Sequence, residues 1–400
     1  MPRILVMIPS GEVYDHDCVR WYDYANVQAN IGHYHNIGDA FVFDSSLKLL
    51  NFETLDVLDI RSTTQADIDR YNAEYDYCFL RGSNYIHGDM DWEKAVSVLE
   101  RLTIPILAFG IGAQAPVRGP LVLSEETKRV LRIISQKSAS IGVRGAFTAE
   151  VLWNLGIKNV RIVGCPTLFR NNDPNLRIDL PRLDDARHVV FTLRREVSNA
   201  YAKNIGRYLD TQRESILSLD RRFEITIAAQ GEIEEKKICM GTLEQREQAI
   251  RELTAQGWFA GGDDRLIELY RDRLFYSDIV ADYEQLVRRN DLVLGYRLHG
   301  NLMALANGVP SIYFSYDSRT GEFVDTLQIP SYDVFSDEAF ELEAYWDQTR
   351  FERFNLMYRQ RYSEMRHFLD ENAIDHKMAA VDGSSARSMP ARSIVSGGIQ

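Results

Sequence analysis

Arg297, His299 and Gly300 lie within the run Gly295-Tyr296-Arg297-Leu298-His299-Gly300-Asn301. A guanidinium grips a carboxylate or phosphate through two parallel hydrogen bonds. An imidazole two residues further on suits proton transfer near neutral pH. Gly300 removes a side chain where backbone must come close to a ligand. The chemistry on offer is anion binding coupled to movement of a proton. The same arginine and histidine would serve as simple caps of a strand and a helix, and spacing alone leaves both readings open.

Three other clusters invite a chemical reading. Arg81-Gly82-Ser83-Asn84-Tyr85 follows the strand-like Tyr77–Leu80, where Arg81, Asn84 and the ring are placed to meet a sugar or a phosphate. Gly82 and Asn84 are also ordinary turn formers. His33-Tyr34-His35 has the spacing of two metal ligands, but no third ligand is evident, so no metal is expected. Gly110-Ile111-Gly112-Ala113-Gln114-Ala115 matches a dinucleotide fingerprint, yet Pro116, Gly119 and Pro120 fall where its helix should continue. No acid follows about twenty residues on, so the run reads as a close-packed loop facing a cleft, without NAD.

Apolar runs of strand length alternate with amphipathic helical stretches, which predicts an α/β protein with parallel sheets. Ile104–Phe109 reads as a buried strand. Ser124 caps a helix with Glu125 and Glu126 in its first turn and Val130, Ile133 and Ile134 on its buried face. Strands follow at Ser140–Val143 and Val160–Val163, separated by a helix that stops at Gly156. A second set opens at His188–Leu193, continues through Phe223–Ala229, and reaches the strand Asp291–Tyr296. That strand leads into a helix over His299–Asn307, then into the strand Val309–Phe314. Arg297 and His299 therefore sit where a parallel strand gives way to a helix, the place where open α/β sheets bind ligands and helix N–H groups face anions. The polar stretch Asn171–Arg187 reads as a linker. Phe354, Tyr358, Tyr362, Met365 and Phe368 recur at helical spacing, predicting a long terminal helix.

The 400 residues, 45% hydrophobic and 26% charged, suit roughly two domains of ordinary globular composition. The apolar start, Ile4–Ile8, is too short for a leader and reads as a strand running into a turn, so no secretion signal is expected. A net charge of -12 argues against nucleic acid as a partner. The four cysteines are far apart with no CxxC pair, which points to a reducing compartment and away from structural zinc.

The run from Gly295 to Leu327, GYRLHGNLMALANGVPSIYFSYDSRTGEFVDTL, resembles the C-terminal signature of the polysaccharide pyruvyl transferase family. Other pieces follow in family order. Asn36-Ile37-Gly38-Asp39 is similar to its N-x-G-D. Ser140–Arg144 with Leu155-Gly156-Ile157 is similar to its middle motif, and Thr192-Leu193-Arg194-Arg195 to the first strand of its second domain. The resemblance covers most of residues 1–330. Two positions depart from the usual pattern: Arg319 stands where a lysine is common, and Cys165 precedes Pro166 where many members carry aspartate.

The resemblance implies two Rossmann-like domains with parallel sheets facing a cleft, as in GT-B glycosyltransferases. These would be 1–178 on the acceptor side and 188–345 on the donor side, followed by a C-terminal helix over 346–380 and a disordered tail over 384–400. It implies phosphoenolpyruvate as co-substrate, no other cofactor, and a sugar or lipid-linked glycan as acceptor, giving a cyclic pyruvate ketal. Arg297 and Arg194 would hold the donor's anionic groups, with Arg195 as substitute and Arg319 as a further anion contact. His299 would be the acid or base. Asp39, beside Asn36, would take an acceptor proton or orient the sugar, unless it merely caps a helix starting at Ala40. A cytoplasmic location follows, with at most peripheral contact at the inner membrane face. The alternatives are a glycosyltransferase using a nucleotide sugar and an inactive glycan-binding member; the sequence is silent on oligomeric state.

Overall fold

The computed structural model describes residues 1–381 apart from 16–17, 22–26, 89, 116–117, 198–201 and 260–263. The expected tail, 384–400, lies outside the described residues. The strands of the first sheet are β1 (Arg3–Met7), β2 (Thr54–Leu58), β3 (Tyr77–Leu80) and β4 (Ile106–Ala108), in the order β2-β1-β3-β4. The pair β5 (Ile141–Val143) and β6 (Val160–Ile162) joins it through a parallel bridge between Ile111 and Val143. The second sheet holds β7 (His188–Thr192), β8 (Glu224–Ala228), β9 (Leu274–Phe275), β10 (Leu292–Gly295), β11 (Ser311–Ser315) and β12 (Ser331–Asp333), in the order β9-β8-β7-β10-β11-β12. Every pairing in both sheets is parallel. The two parallel α/β lobes are those expected from the alternating pattern.

Strand order changes direction beside the first strand of each lobe, between β1 and β3 and between β7 and β10. Helices leave to opposite faces at such a point and open a crevice at the strands' carboxyl ends. The segments after β3, β7 and β10 carry Arg81–Asn84, Arg194 and Arg297–His299.

Helices α1 (Ile37–Leu49), α2 (Leu298–Ala306) and α3 (Ser318–Leu327) bear on the crevice, and the long α4 (Gln348–Glu371) lies away from it. Helices α1 and α2 are buried nearly all round, and α1 packs against α2. The mostly apolar surfaces of both helices suit that position, and the buried Asp44 and Ser45 of α1 are met by Arg170. The alternation of β1, β3 and β4 explains what the two helices meet there. Ile4, Val6, Phe79 and Leu107 point into the core that holds α1 and α2 as well as the second sheet, whereas Leu5, Met7, Leu80 and Ile106 face a separate core belonging to the first lobe. Phe41 of α1 stacks edge-on against Tyr283 at 5.1 Å, stitching the lobes together. Truncating such a ring costs about 3–5 kcal/mol.

The predicted aromatic stripe is the buried face of α4. This helix does not stay with the second lobe. Its Asn355 holds Ile178 at the linker, and its far end returns to the first lobe, where Glu371 pairs with Arg161 at 2.5 Å and Phe368 packs on Phe109. The linker is thus docked, not free. The polar segment 231–264 contains helices at Ile233–Met240 and Leu243–Ala255. Among the described residues no helix is long and apolar enough to cross a membrane.

Candidate active site

A pocket of about 200 Å³ opens where the carboxyl ends of the two sheets face each other. Nearly all of its polar wall comes from residues that immediately follow a strand. Asn84 comes from the segment after β3, Arg144 from after β5, Arg194 from after β7, Gln230 from after β8, Arg297 and His299 from after β10, and Arg319 from after β11. The N-terminus of α1 adds Asn36 and Asp39.

Arg297 is 5% exposed and fixed on several sides. Its N–H donates to Thr192 Oγ1 at 3.1 Å, its Nε donates to the carbonyl of Leu193 at 3.0 Å, and an Nη donates to Glu232. Burial works against its charge, but the Glu232 carboxylate together with Tyr34 and Tyr316 more than offsets that, so Arg297 stays protonated. Arg194 and Arg319 both donate to the phenol oxygen of Tyr316, and the Arg194 guanidinium lies 5.3 Å over that ring. Asp317 lies 3.9 Å from Arg319 and caps α3 through the N–H of Thr320.

His299 occupies the first turn of α2 and faces the first turn of α1, its Nδ1 3.5 Å from where a Cβ on Gly38 would lie. Burial, and then the charges of Arg319, Arg81, Arg144 and Arg297, push its imidazole from 6.5 down to about 3. The pocket therefore presents a neutral imidazole in a positive field. A neutral imidazole can accept a proton, and an arriving anion would offset the field that depresses it.

Most of the sequence-derived candidates meet here. Arg81 is 6% exposed, holds the β1 and β3 ends together by donating to the Ile8 carbonyl at 3.1 Å, and lies 3.6 Å from Asp39. Asn84 lines the pocket and accepts from Arg144. The helix begins at Ile37, not Ala40, and Asn36 is its cap, accepting from the Gly38 N–H at 3.1 Å. Asp39 is thus relieved of capping and turns to the pocket and Arg81.

Two expectations need correction. Arg195 points away from the pocket, clamped to Glu235 at 2.9 Å, Glu234 at 2.5 Å and Gln256 at 2.8 Å, so it is no substitute for Arg194. Gly300 makes room for a protein side chain before any ligand, since a Cβ there would fall 2.5 Å from Gln230 Nε2.

Arg144, present only as the last residue of the family-like middle motif, and Gln230 carried no expected role, although both follow a strand end, the one signal that marks this pocket. The Gly110–Ala115 run is the close-packed loop expected: Gly110 lines the pocket and the Ala113 carbonyl accepts from Arg144. His35 stacks on Trp21 at 4.5 Å, and among the described residues no three metal-ligating side chains converge. Burial raises the Cys165 thiol to about 11, so it stays protonated at the pocket wall.

A family model for polysaccharide pyruvyl transferase matches residues 36–318, more than half of the chain. The chain belongs to the polysaccharide pyruvyl transferase family. The match begins at the Asn36 cap and takes in every strand end that feeds the pocket. Membership makes this pyruvyl transferase homologue a transferase of polysaccharide modification. No curated protein matches its sequence. Among solved structures, HepE from Anabaena in complex with UDP-glucose is similar at 10% identity, covering 92% of this chain and 99% of that one, with a TM-score of 0.44. An α,α-trehalose-phosphate synthase (UDP-forming) from Burkholderia vietnamiensis is similar at 11% identity, 93% and 97% coverage and a TM-score of 0.40. MnaA from S. aureus with UDP gives 12%, 94% and 99%, and 0.39. Scores this low assign the pyruvyl transferase homologue neither substrate nor chemistry.

Proposed function

We propose that the protein transfers the pyruvyl group of phosphoenolpyruvate to a pair of hydroxyls on a sugar, in a glycan or its lipid-linked precursor, forming a cyclic ketal and releasing phosphate. The observation that supports this most is the field at His299: an uncharged imidazole facing Arg81, Arg144, Arg297 and Arg319. A three-carbon donor with a carboxylate and a phosphate suits such a pocket, because each group can take paired N–H donors from a guanidinium. Arg297, Arg194 and Arg319 are the donor-holding groups in this reading.

A proton adds to the methylene carbon of the enol, and the first sugar hydroxyl adds to the carbon bearing phosphate, losing its proton. Phosphate then leaves with the C–O bonding pair. The second hydroxyl adds to the same carbon and loses its proton, closing the ketal. One proton ends on carbon and one remains for the released phosphate and solvent. His299, lifted by the bound anion, is the group that accepts a hydroxyl proton and returns it, a role that contributes about 10²–10⁴-fold. Asp39, held by Arg81, orients the acceptor. No cofactor beyond the donor enters, and the reaction belongs in the cytoplasm, where phosphoenolpyruvate is made. Incubation with labelled phosphoenolpyruvate and candidate glycans tests the reading: acceptor-dependent phosphate release supports it, and turnover of a nucleotide sugar in its place overturns it.

A further inference from the structure

Gln230 has a feature that neither the arginines nor the imidazole of the pocket explain. It follows β8, lines the pocket and is 1% exposed, yet its side-chain Nε2 has no hydrogen-bond partner. Its backbone is well occupied: the carbonyl accepts from the Ile37 N–H at 2.9 Å, and its own N–H donates to Glu232 at 3.2 Å. The amide alone is left over. A buried donor without a partner destabilises the fold that carries it.

The space around this amide is built for it. A Cβ on Gly300 would stand 2.5 Å from Nε2, and a Cβ on Gly38 3.1 Å from Oε1. Glycine at both positions lets one side chain lie between the first turns of α1 and α2, which come from opposite lobes. The first N–H groups of α1 are taken by the Gln230 carbonyl and by Asn36, so the start of α2 is the helix end that favours an oxyanion here. An Nε2 donor held there without a partner is placed for a ligand oxygen.

We propose that Gln230 is a binding residue whose Nε2 donates to an oxyanion oxygen of the ligand, seated between the first turns of α1 and α2. The claim rests on the donor reading above only for the molecule carrying that oxyanion, whose phosphate and carboxylate are the two sources. Gln230→Met keeps the length and removes the hydrogen bond; Gln230→Glu replaces the donor with a like charge. Titration calorimetry of the full chain and both variants would use phosphoenolpyruvate, inorganic phosphate and pyruvate as probes, with melting temperatures alongside.

The expected result is a loss of phosphoenolpyruvate affinity of about 10- to 100-fold in Gln230→Met, more in Gln230→Glu. The fragment that weakens in parallel identifies the group bound. The melting temperature of Gln230→Met should equal or exceed that of the unmodified chain, because an orphaned donor is gone. Unchanged affinity for all three probes overturns the proposal, as does a melting temperature that falls with affinity, or an unmodified chain that binds none of the probes. Gln230-dependent binding of phosphate or pyruvate without any turnover of phosphoenolpyruvate would uphold this site and sink the donor reading.

Discussion

Arg144 at the end of β5 and Glu322 in α3 meet at 2.9 Å with both side chains closed off from solvent. They belong to opposite lobes, and Glu322 also accepts from the N–H of Thr148 at 2.7 Å. The pair ties the two lobes together beside the pocket wall that Arg144 helps to form. Removing one partner of a buried pair leaves an uncompensated charge, at a cost of about 3–5 kcal/mol. Glu322→Ala should therefore lose that much stability in denaturant unfolding. A loss below about 1 kcal/mol, the scale of an exposed pair, would show the contact to be incidental.

His299 gives two pH signatures. Its folded value of about 3 lies below the ordinary 6.5, so between those limits the unfolded chain takes up a proton that the folded chain refuses. Its contribution to stability is complete above pH 6.5 and lost as pH falls towards 3. His299→Asn should flatten the pH dependence of stability in that window while abolishing most turnover. Donor binding should also take up protons near neutral pH, because a bound anion raises the imidazole; calorimetry in buffers of different ionisation heat counts them. An active His299→Asn, or binding without proton uptake, would remove the proton-transfer role.

Adjacent arginines should behave differently. Arg194→Ala should weaken donor binding about tenfold or more, whereas Arg195→Ala, which breaks a clamp to Glu234 and Glu235, should change stability and leave donor affinity within about twofold. Equal losses of affinity in the two variants would contradict the assignment.

Tyr316 offers a subtler test. Its phenol oxygen accepts from both Arg194 and Arg319, while its ring packs against Tyr208 at 5.1 Å. Tyr316→Phe keeps the ring and frees the guanidinium groups to drift. The donor KM should rise about tenfold with little change in melting temperature. A lower melting temperature with KM unchanged would assign the hydroxyl to folding.

How much of this could be read from the chain differs from residue to residue. Arg297 and His299 were legible because an apolar run followed by a small-residue helix marks a strand-to-helix junction, and such junctions gather at one end of a parallel sheet. Arg194 was preferred to Arg195 through the resemblance, but nothing in their positions excluded Arg195. Past the end of β7 the strand's alternation no longer says which side chain turns inward, and the carboxylates that capture Arg195 lie some forty residues away. Gln230 was invisible for a related reason, since an amide shows its purpose only when its missing partner can be seen. The stripe on α4 announced a buried face but not that the helix returns to the first lobe, because periodicity names the face and never the surface it meets. Asn36 took the cap from Asp39 because the helix starts at Ile37, three residues before Ala40.

The most direct test measures phosphate released from phosphoenolpyruvate with and without acceptor glycan, with mass analysis of the product. The account predicts release that requires the acceptor, a glycan gaining one pyruvate ketal, and loss of both in Arg297→Ala and His299→Asn. Release indifferent to the acceptor, or a glycan that gains a hexose from a nucleotide sugar under the same conditions, would contradict it.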